Sequence, residues 1–216
     1  MDYDLIIFDC DGVLVDSEPL SNQLLRDTLA GYGLDMTLDD VIDTFVGRSM
    51  SKVVSIAEDL GGFTLPDNFL DILQEETFEI FKRDLKPVEG IDHVLKTLQQ
   101  KNHNYCLASS GSFDKMDLTL GLTGLRGYFG DNIYNSSLVK RGKPYPDLFL
   151  HAAHEMSVEP ARCLVIEDSH PGVQAAVAAG MEVMAYSVRG FDDKLKKAGG
   201  LVFKDMRDIL SHVLDN

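Results

Sequence analysis

Short unbroken apolar runs punctuate the chain: Leu5-Ile6-Ile7-Phe8, Tyr105-Cys106-Leu107-Ala108, Leu164-Val165-Ile166 and Val183-Met184-Ala185-Tyr186. A run of this length without polar alternation predicts a strand covered on both faces, as in a parallel sheet. Between the later runs the spacing turns helical. It predicts helices near 113–120, over 147–156 and over 173–179, the last stopped by Gly180. Strands alternating with helices predict a doubly wound α/β sheet.

From Ser17 to about Asp84 the rhythm changes. Leu20, Leu24, Leu25 and Leu29 form one helical stripe, and Val53, Ile56, Ala57 and Leu60 a second. Leu70, Leu73, Thr77 and Phe81 form a third, beside Phe69, Ile72 and Ile80. No strand pattern interrupts them, so the reading is an all-helical insert, residues 16–85, within an α/β core made of residues 1–15 and 86–216. Ser17 is expected to cap the first insert helix, with Pro19 in its first turn. The Phe69, Phe78 and Phe81 group reads as the insert's own core, and 86–90, Lys-Pro-Val-Glu-Gly, as the return linker.

The polar residues that follow the predicted strands carry the chemistry. The first strand runs directly into Asp9-Cys10-Asp11-Gly12-Val13, and ligands in open α/β sheets bind at the carboxyl ends of strands. Two acids one residue apart repel, and ordinarily need a cation or a shared proton. Alone, the segment is equally a strand end with an Asp-Gly turn. After Ala108 comes Ser109-Ser110-Gly111-Ser112, whose small residues let backbone N–H groups approach an anion, or simply cap a helix. A basic cluster, Lys140-Arg141-Gly142-Lys143-Pro144-Tyr145-Pro146-Asp147, is held by two prolines, with Lys140 and Arg141 read as solvated. The third buried run ends in Glu167-Asp168-Ser169. Oxygen ligands from that pair, with Asp9, suit Mg²⁺.

Composition narrows the partners. The chain has 216 residues, 44% hydrophobic and 25% charged, which excludes wholesale disorder. Twenty Lys and Arg stand against 35 Asp and Glu, a formal charge of −15. Such a chain repels polyanions, so neither nucleic acid nor an anionic membrane is an expected partner. A small anionic substrate would need positive charge supplied locally. Cys10, Cys106 and Cys163 form no even disulfide set, and each lies in or beside an apolar run, which suits a reducing compartment. The first apolar run is short, acid-flanked and without a basic lead, so it is not read as a signal peptide, and no segment approaches a membrane span. The expectation is a cytoplasmic protein, monomeric because no assembly segment stands out.

Acid pair, small hydroxyl loop, fixed lysine and second acid pair, in that order at strand ends, resemble the four motifs of the haloacid dehalogenase superfamily of phosphatases. The resemblance spans essentially the whole chain, through Asp9-Cys10-Asp11-Gly12-Val13, Ser109, Lys143 in Gly142-Lys143-Pro144, and Glu167-Asp168. It resembles in particular the branch with a small helical cap that includes β-phosphoglucomutase and sugar-phosphate phosphatases, which makes the insert a cap domain. The resemblance implies a Mg²⁺-dependent phosphatase acting on a small phosphorylated metabolite, such as a sugar phosphate. Asp9 would be the nucleophile and Asp11 the general acid and base. Lys143 would neutralise developing charge, and Ser109, Ser110 and Gly111 would hold phosphoryl oxygens. Asp9, the Asp11 carbonyl, Glu167 and Asp168 would hold the metal, with Glu167 direct or through water. Arg48, in Gly47-Arg48-Ser49 of the cap's specificity loop, either clamps substrate or is an exposed surface arginine.

Two other readings compete. A β-phosphoglucomutase-like mutase resembles this chain in its core motifs but carries a cap histidine, and the matching position here is Ser21. A retired binding or regulatory protein is the non-enzyme alternative, and the presence of all four motifs argues against it. His151 and His154 read as a surface pair rather than a zinc site, His170 as a helix start, and the charges of 192–197 as a solvated helix.

Overall fold

The computed structural model describes residues 3–46, 48–188 and 190–214. The chain divides into two compact units, one running to Asp16 and resuming at Lys86, the other spanning Ser17–Leu85. The core unit holds a sheet of β1 (Leu5–Phe8), β2 (Asn104–Ser109), β3 (Ile133–Asn135), β4 (Cys163–Glu167), β5 (Glu182–Tyr186) and β6 (Leu201–Phe203). The strands lie in the order β3-β2-β1-β4-β5-β6, and every pairing is parallel. This is the expected doubly wound sheet.

The four predicted runs lie within β1, β2, β4 and β5, and β1 and β4 are buried throughout. The pleat explains why. Leu5 and Ile7 of β1 pack with Cys106, Ala108, Val165 and Val183 against Phe149, Ala152, Val173 and Ala176. On the opposite face Phe8 and Tyr105 meet Phe129 edge-on. The three cysteines are buried thiols.

The core-unit helices are α5 (Ile91–Gln100), α6 (Phe113–Leu122), α7 (Arg126–Phe129), α8 (Asp147–Glu155), α9 (His170–Ala178), α10 (Asp192–Lys197) and α11 (Asp208–Leu214). Three of them were expected near these bounds, and α10 was expected as a solvated helix, although its Leu195 is buried. His170 begins α9 behind the N-cap Ser169, as expected. β3 and β6, of three residues each, carry too little pattern to be read from sequence.

The second unit is all helical among its described residues: α1 (Glu18–Gly31), α2 (Leu38–Phe45), α3 (Met50–Gly61) and α4 (Phe69–Asp84). Its core gathers Leu25, Leu29, Val41, Phe45, Val53, Ala57, Leu65, Phe69 and Leu73. Three expectations need correction. Leu60 and Leu70, each in the terminal turn of its helix, are exposed rather than packed. Ser17 occupies the N-cap position of α1 in a helical conformation and makes no side-chain capping bond. The boundary falls after Asp16, not before it, because the Asp16 N–H donates to the Lys86 carbonyl and Val15 bridges Pro87, tying Asp16 to the core. Among the described residues no helix is long and apolar enough to cross a membrane.

Candidate active site

Strand order reverses at β1, which lies between β2 and β4, and the crevice beyond the carboxyl ends at such a reversal is where doubly wound sheets bind ligands. Asp9 follows β1 directly, Ser109 ends β2 and Glu167 ends β4. The Asp9 N–H donates to the Ile166 carbonyl, so the pairing of β1 with β4 continues into Asp9.

Lys143 gathers these strand ends. Its Nζ donates to Asp9 Oδ1 at 2.5 Å, Glu167 Oε1 at 2.7 Å and the Ala108 carbonyl at 3.1 Å. An ammonium has three donors, and all are used. Its side chain is almost wholly buried, with Phe149 beneath the charge at 4.8 Å. Burial alone would push the lysine towards neutrality; the Asp9 and Glu167 charges outweigh it and hold the ammonium. Burial pushes the Asp9 carboxyl upward, opposed by Lys143 and reinforced by Glu167 and Asp11.

Glu167 accepts hydrogen bonds at both oxygens. Beyond its contact with Lys143, Oε2 accepts from the Asp168 N–H at 2.9 Å and from the Ser169 N–H and hydroxyl at 2.8 Å each. The α-carbon of Gly172 packs so close that a methyl there would overlap the carboxylate. Asp168 is placed differently. Burial, then the charges of Glu167, Asp9 and Asp11, pushes its carboxyl well above the usual range. Gly12, at φ +77°, lies against it so closely that any side chain would overlap Asp168. Its N–H donates to the Val15 carbonyl, folding the acid loop back on itself.

These donors suit Mg²⁺ in kind. Among the described residues no three His, Cys, Asp or Glu side chains already stand as a metal cage. Mg²⁺ needs no such cage, since it keeps several waters and takes one or two carboxylates. Asp9 and Asp168, acids in a crowd of like charge, are the side chains with ligand capacity. Glu167 is hydrogen-bonded at both oxygens, through Lys143 at Oε1 and through Asp168 and Ser169 at Oε2.

On the other flank, Ser109 is buried and its Oγ accepts from the Gly111 N–H at 3.2 Å. Asn135 fixes the same turn, donating to the Gly111 carbonyl at 3.1 Å, while its own oxygen accepts from Ser137. Ser110 is exposed. Sequence reasoning missed Asn135 because it missed β3. It also missed Lys115, whose Nζ donates to Asp11 Oδ2 at 2.7 Å. Burial would lower its affinity for the proton, and Asp11 more than reverses this. A lysine in the first turn of α6 was a readable oddity, since that end of a helix disfavours cations.

Arg48 belongs to the helical unit, is exposed, and donates from Nε to the Thr44 carbonyl at 2.5 Å; Gly47 lies outside the described residues. Arg141 is exposed, paired with Asp147 and stacked on Tyr145. His151 packs edge-on against Tyr134, and His154 is exposed.

Comparison with known proteins bears on this geometry. Residues 3–180 match the family model of the haloacid dehalogenase-like hydrolases. A fructose-1-phosphate phosphatase of Escherichia coli (strain K12) is 32% identical over 180 residues, covering 83% of this chain and 94% of the relative. A phosphorylated carbohydrates phosphatase of Thermotoga maritima is 31% identical over 209 residues, 95% of this chain and 96% of the relative. A solved structure from Thermotoga maritima, provisionally described as a β-phosphoglucomutase, superposes with a TM-score of 0.84 at 30% identity, covering 99% of this chain and 100% of that one.

Proposed function

The chain belongs to the haloacid dehalogenase-like hydrolases, and on that premise we propose that it is a Mg²⁺-dependent phosphatase of a small phosphorylated carbohydrate, working through an aspartyl-phosphate at Asp9. The observation that carries this reading is the convergence of Asp9, Lys143 and Glu167 where the strand order reverses.

In the first step an Asp9 carboxylate oxygen attacks phosphorus while the ester P–O bond breaks, and Asp11 gives its proton to the departing alkoxide. In the second, Asp11 takes a proton from water, whose oxygen attacks the aspartyl-phosphate and releases phosphate. Lys143 fixes Asp9 through Oδ1 and offsets charge at the nucleophile. The Ser109–Gly111 turn, braced by Asn135, offers a hydroxyl and backbone N–H groups to the phosphoryl oxygens. When bound by Asp9, the Asp11 carbonyl and Asp168, Mg²⁺ supplies positive charge beside the phosphoryl group. From the family resemblance we further propose that the helical unit selects substrate, with Arg48 a candidate residue for that role.

A mutase has the same core chemistry, so likeness to a β-phosphoglucomutase structure alone does not separate the two. The six histidines all lie in the core unit, and position 21 is serine. A serine hydroxyl is a poor base near neutral pH, which favours water over a sugar hydroxyl as acceptor. The test is hydrolysis of a panel of phosphorylated hexoses, pentoses, glycolate and nucleotides, with Mg²⁺ and with chelator. The reading predicts phosphate release ranked highest, by kcat/KM, for a phosphorylated carbohydrate. Sugar-phosphate isomerisation outpacing phosphate release, in the presence of sugar bisphosphate, would overturn it.

A further inference from the structure

The Lys115–Asp11 pair joins segments far apart in the chain and has no place in the proposed steps above. Lys115 is the third residue of α6, behind the N-cap Ser112, whose hydroxyl accepts from the Lys115 N–H. A cation so near a helix N-terminus meets the positive end of the dipole, so its position there has to be offset. The offset is Asp11. The lysine stem passes the α-carbon of Gly111, with Cδ 3.8 Å from where a methyl on that glycine would stand, and its Nζ reaches Asp11 Oδ2 at 2.7 Å. Both side chains are about two-thirds buried, with exposures of 31% and 27%, so the pair is partly shielded from water. Its geometry is fixed from two sides: α6 is anchored by its cap, and the acid loop by the Gly12 turn.

We propose that Lys115 is a positioning residue for Asp11, holding its carboxyl in the orientation from which it protonates the leaving group. This rests on the reading of Asp11 as the proton donor. Lys115 acts through Asp11, to which its Nζ donates. In the step it serves, the Asp9 O–P bond forms, the ester P–O bond breaks, and the proton passes from Asp11 to the ester oxygen. Misplacing a catalytic group by about 1 Å costs roughly 10²-fold, so loss of the tether should be felt wherever that proton is needed.

The test compares two esters. β-Glycerol phosphate leaves as a strongly basic alkoxide that needs the proton, whereas 2,4-dinitrophenyl phosphate leaves as a stable phenolate that does not. kcat/KM covers only the steps through leaving-group departure, so the later use of Asp11 as a base does not enter it. Lys115→Met and Lys115→Gln should lower kcat/KM for β-glycerol phosphate by about 10–100-fold and for the dinitrophenyl ester far less. Lys115→Arg, which retains a cation on a long stem, should restore most of the loss. Asp11→Asn is run in parallel and should show the same split more strongly. If Asp11→Asn splits the two esters while the Lys115 variants lose equally on both, or lose nothing, the proposal is overturned and Asp11 stands. If Asp11→Asn shows no split, the reading of Asp11 fails and the proposal with it. Melting curves identify a variant that has not folded, and the Gln and Arg variants then decide.

Discussion

The ammonium of Lys143 lies 2.5 Å from Oδ1 of Asp9, and both side chains are almost wholly closed to solvent. Removing one partner of a buried ion pair strands the other, at a cost of about 3–5 kcal/mol. Lys143→Met leaves Asp9 and Glu167 together without their shared cation. The variant is expected to melt well below the parent and to lose phosphatase activity almost completely. Mg²⁺ should raise its melting temperature more than the parent's, since a cation bound only by the folded state stabilises it. Equal melting temperatures for the two proteins in chelator would contradict the pairing.

Gly12 carries two constraints that can be separated. Its φ of +77° disfavours any side chain, and a methyl would also overlap the Asp168 carboxylate. Gly180 has φ +73° and open space around it. Both Ala variants should lose about 1–2 kcal/mol of stability to backbone strain. Only Gly12→Ala should also lose activity, by roughly 10²-fold, because it displaces Asp168. The comparison requires melting curves and kcat for both; equal activity in the two would remove Asp168 from the site.

Asn135 is buried at the end of β3 and holds the Gly111 carbonyl. Asn135→Ala leaves that carbonyl unsatisfied, which costs about 1–3 kcal/mol when no water replaces the donor. The loosened turn should bind inorganic phosphate more weakly, read as a raised inhibition constant, with kcat changed less than KM. An unchanged inhibition constant would mean the turn does not hold the phosphoryl group.

How much of this was readable follows from where each signal lies. The runs ending at Phe8, Ala108 and Ile166 were legible because strands of a parallel sheet are buried on both faces and lose the polar alternation. The residues just past them therefore announced the site. β3 is too short to carry a pattern, and Asn135 was hidden with it. Lys115 meets Asp11 across 104 positions of sequence, a contact that depends on how α6 packs. Glu167 was legible as an acid at a strand end, but the engagement of both its oxygens is a three-dimensional fact. α2 was passed over although Thr37 and Asp40 form a reciprocal capping box, a sign present in the sequence.

Activity should vanish on exhaustive chelation and return with Mg²⁺. Asp168→Asn removes a carboxylate from the proposed ligand set and should raise the Mg²⁺ concentration for half-maximal activity by about tenfold or more. Full turnover after metal removal, checked by elemental analysis of the protein, would contradict the assignment of Asp9 and Asp168 to a cation.

The central claim is the covalent bond between Asp9 and the phosphoryl group. Rapid acid quench during turnover preserves an acyl phosphate, and borohydride reduces it to an alcohol, converting the aspartate to homoserine. Mass spectrometry of the peptide containing Asp9 is predicted to show homoserine at that position, only when substrate and Mg²⁺ are both present, and never in Asp9→Asn. Steady release of phosphate with position 9 left as aspartate, or with the reduced residue found elsewhere, would contradict it.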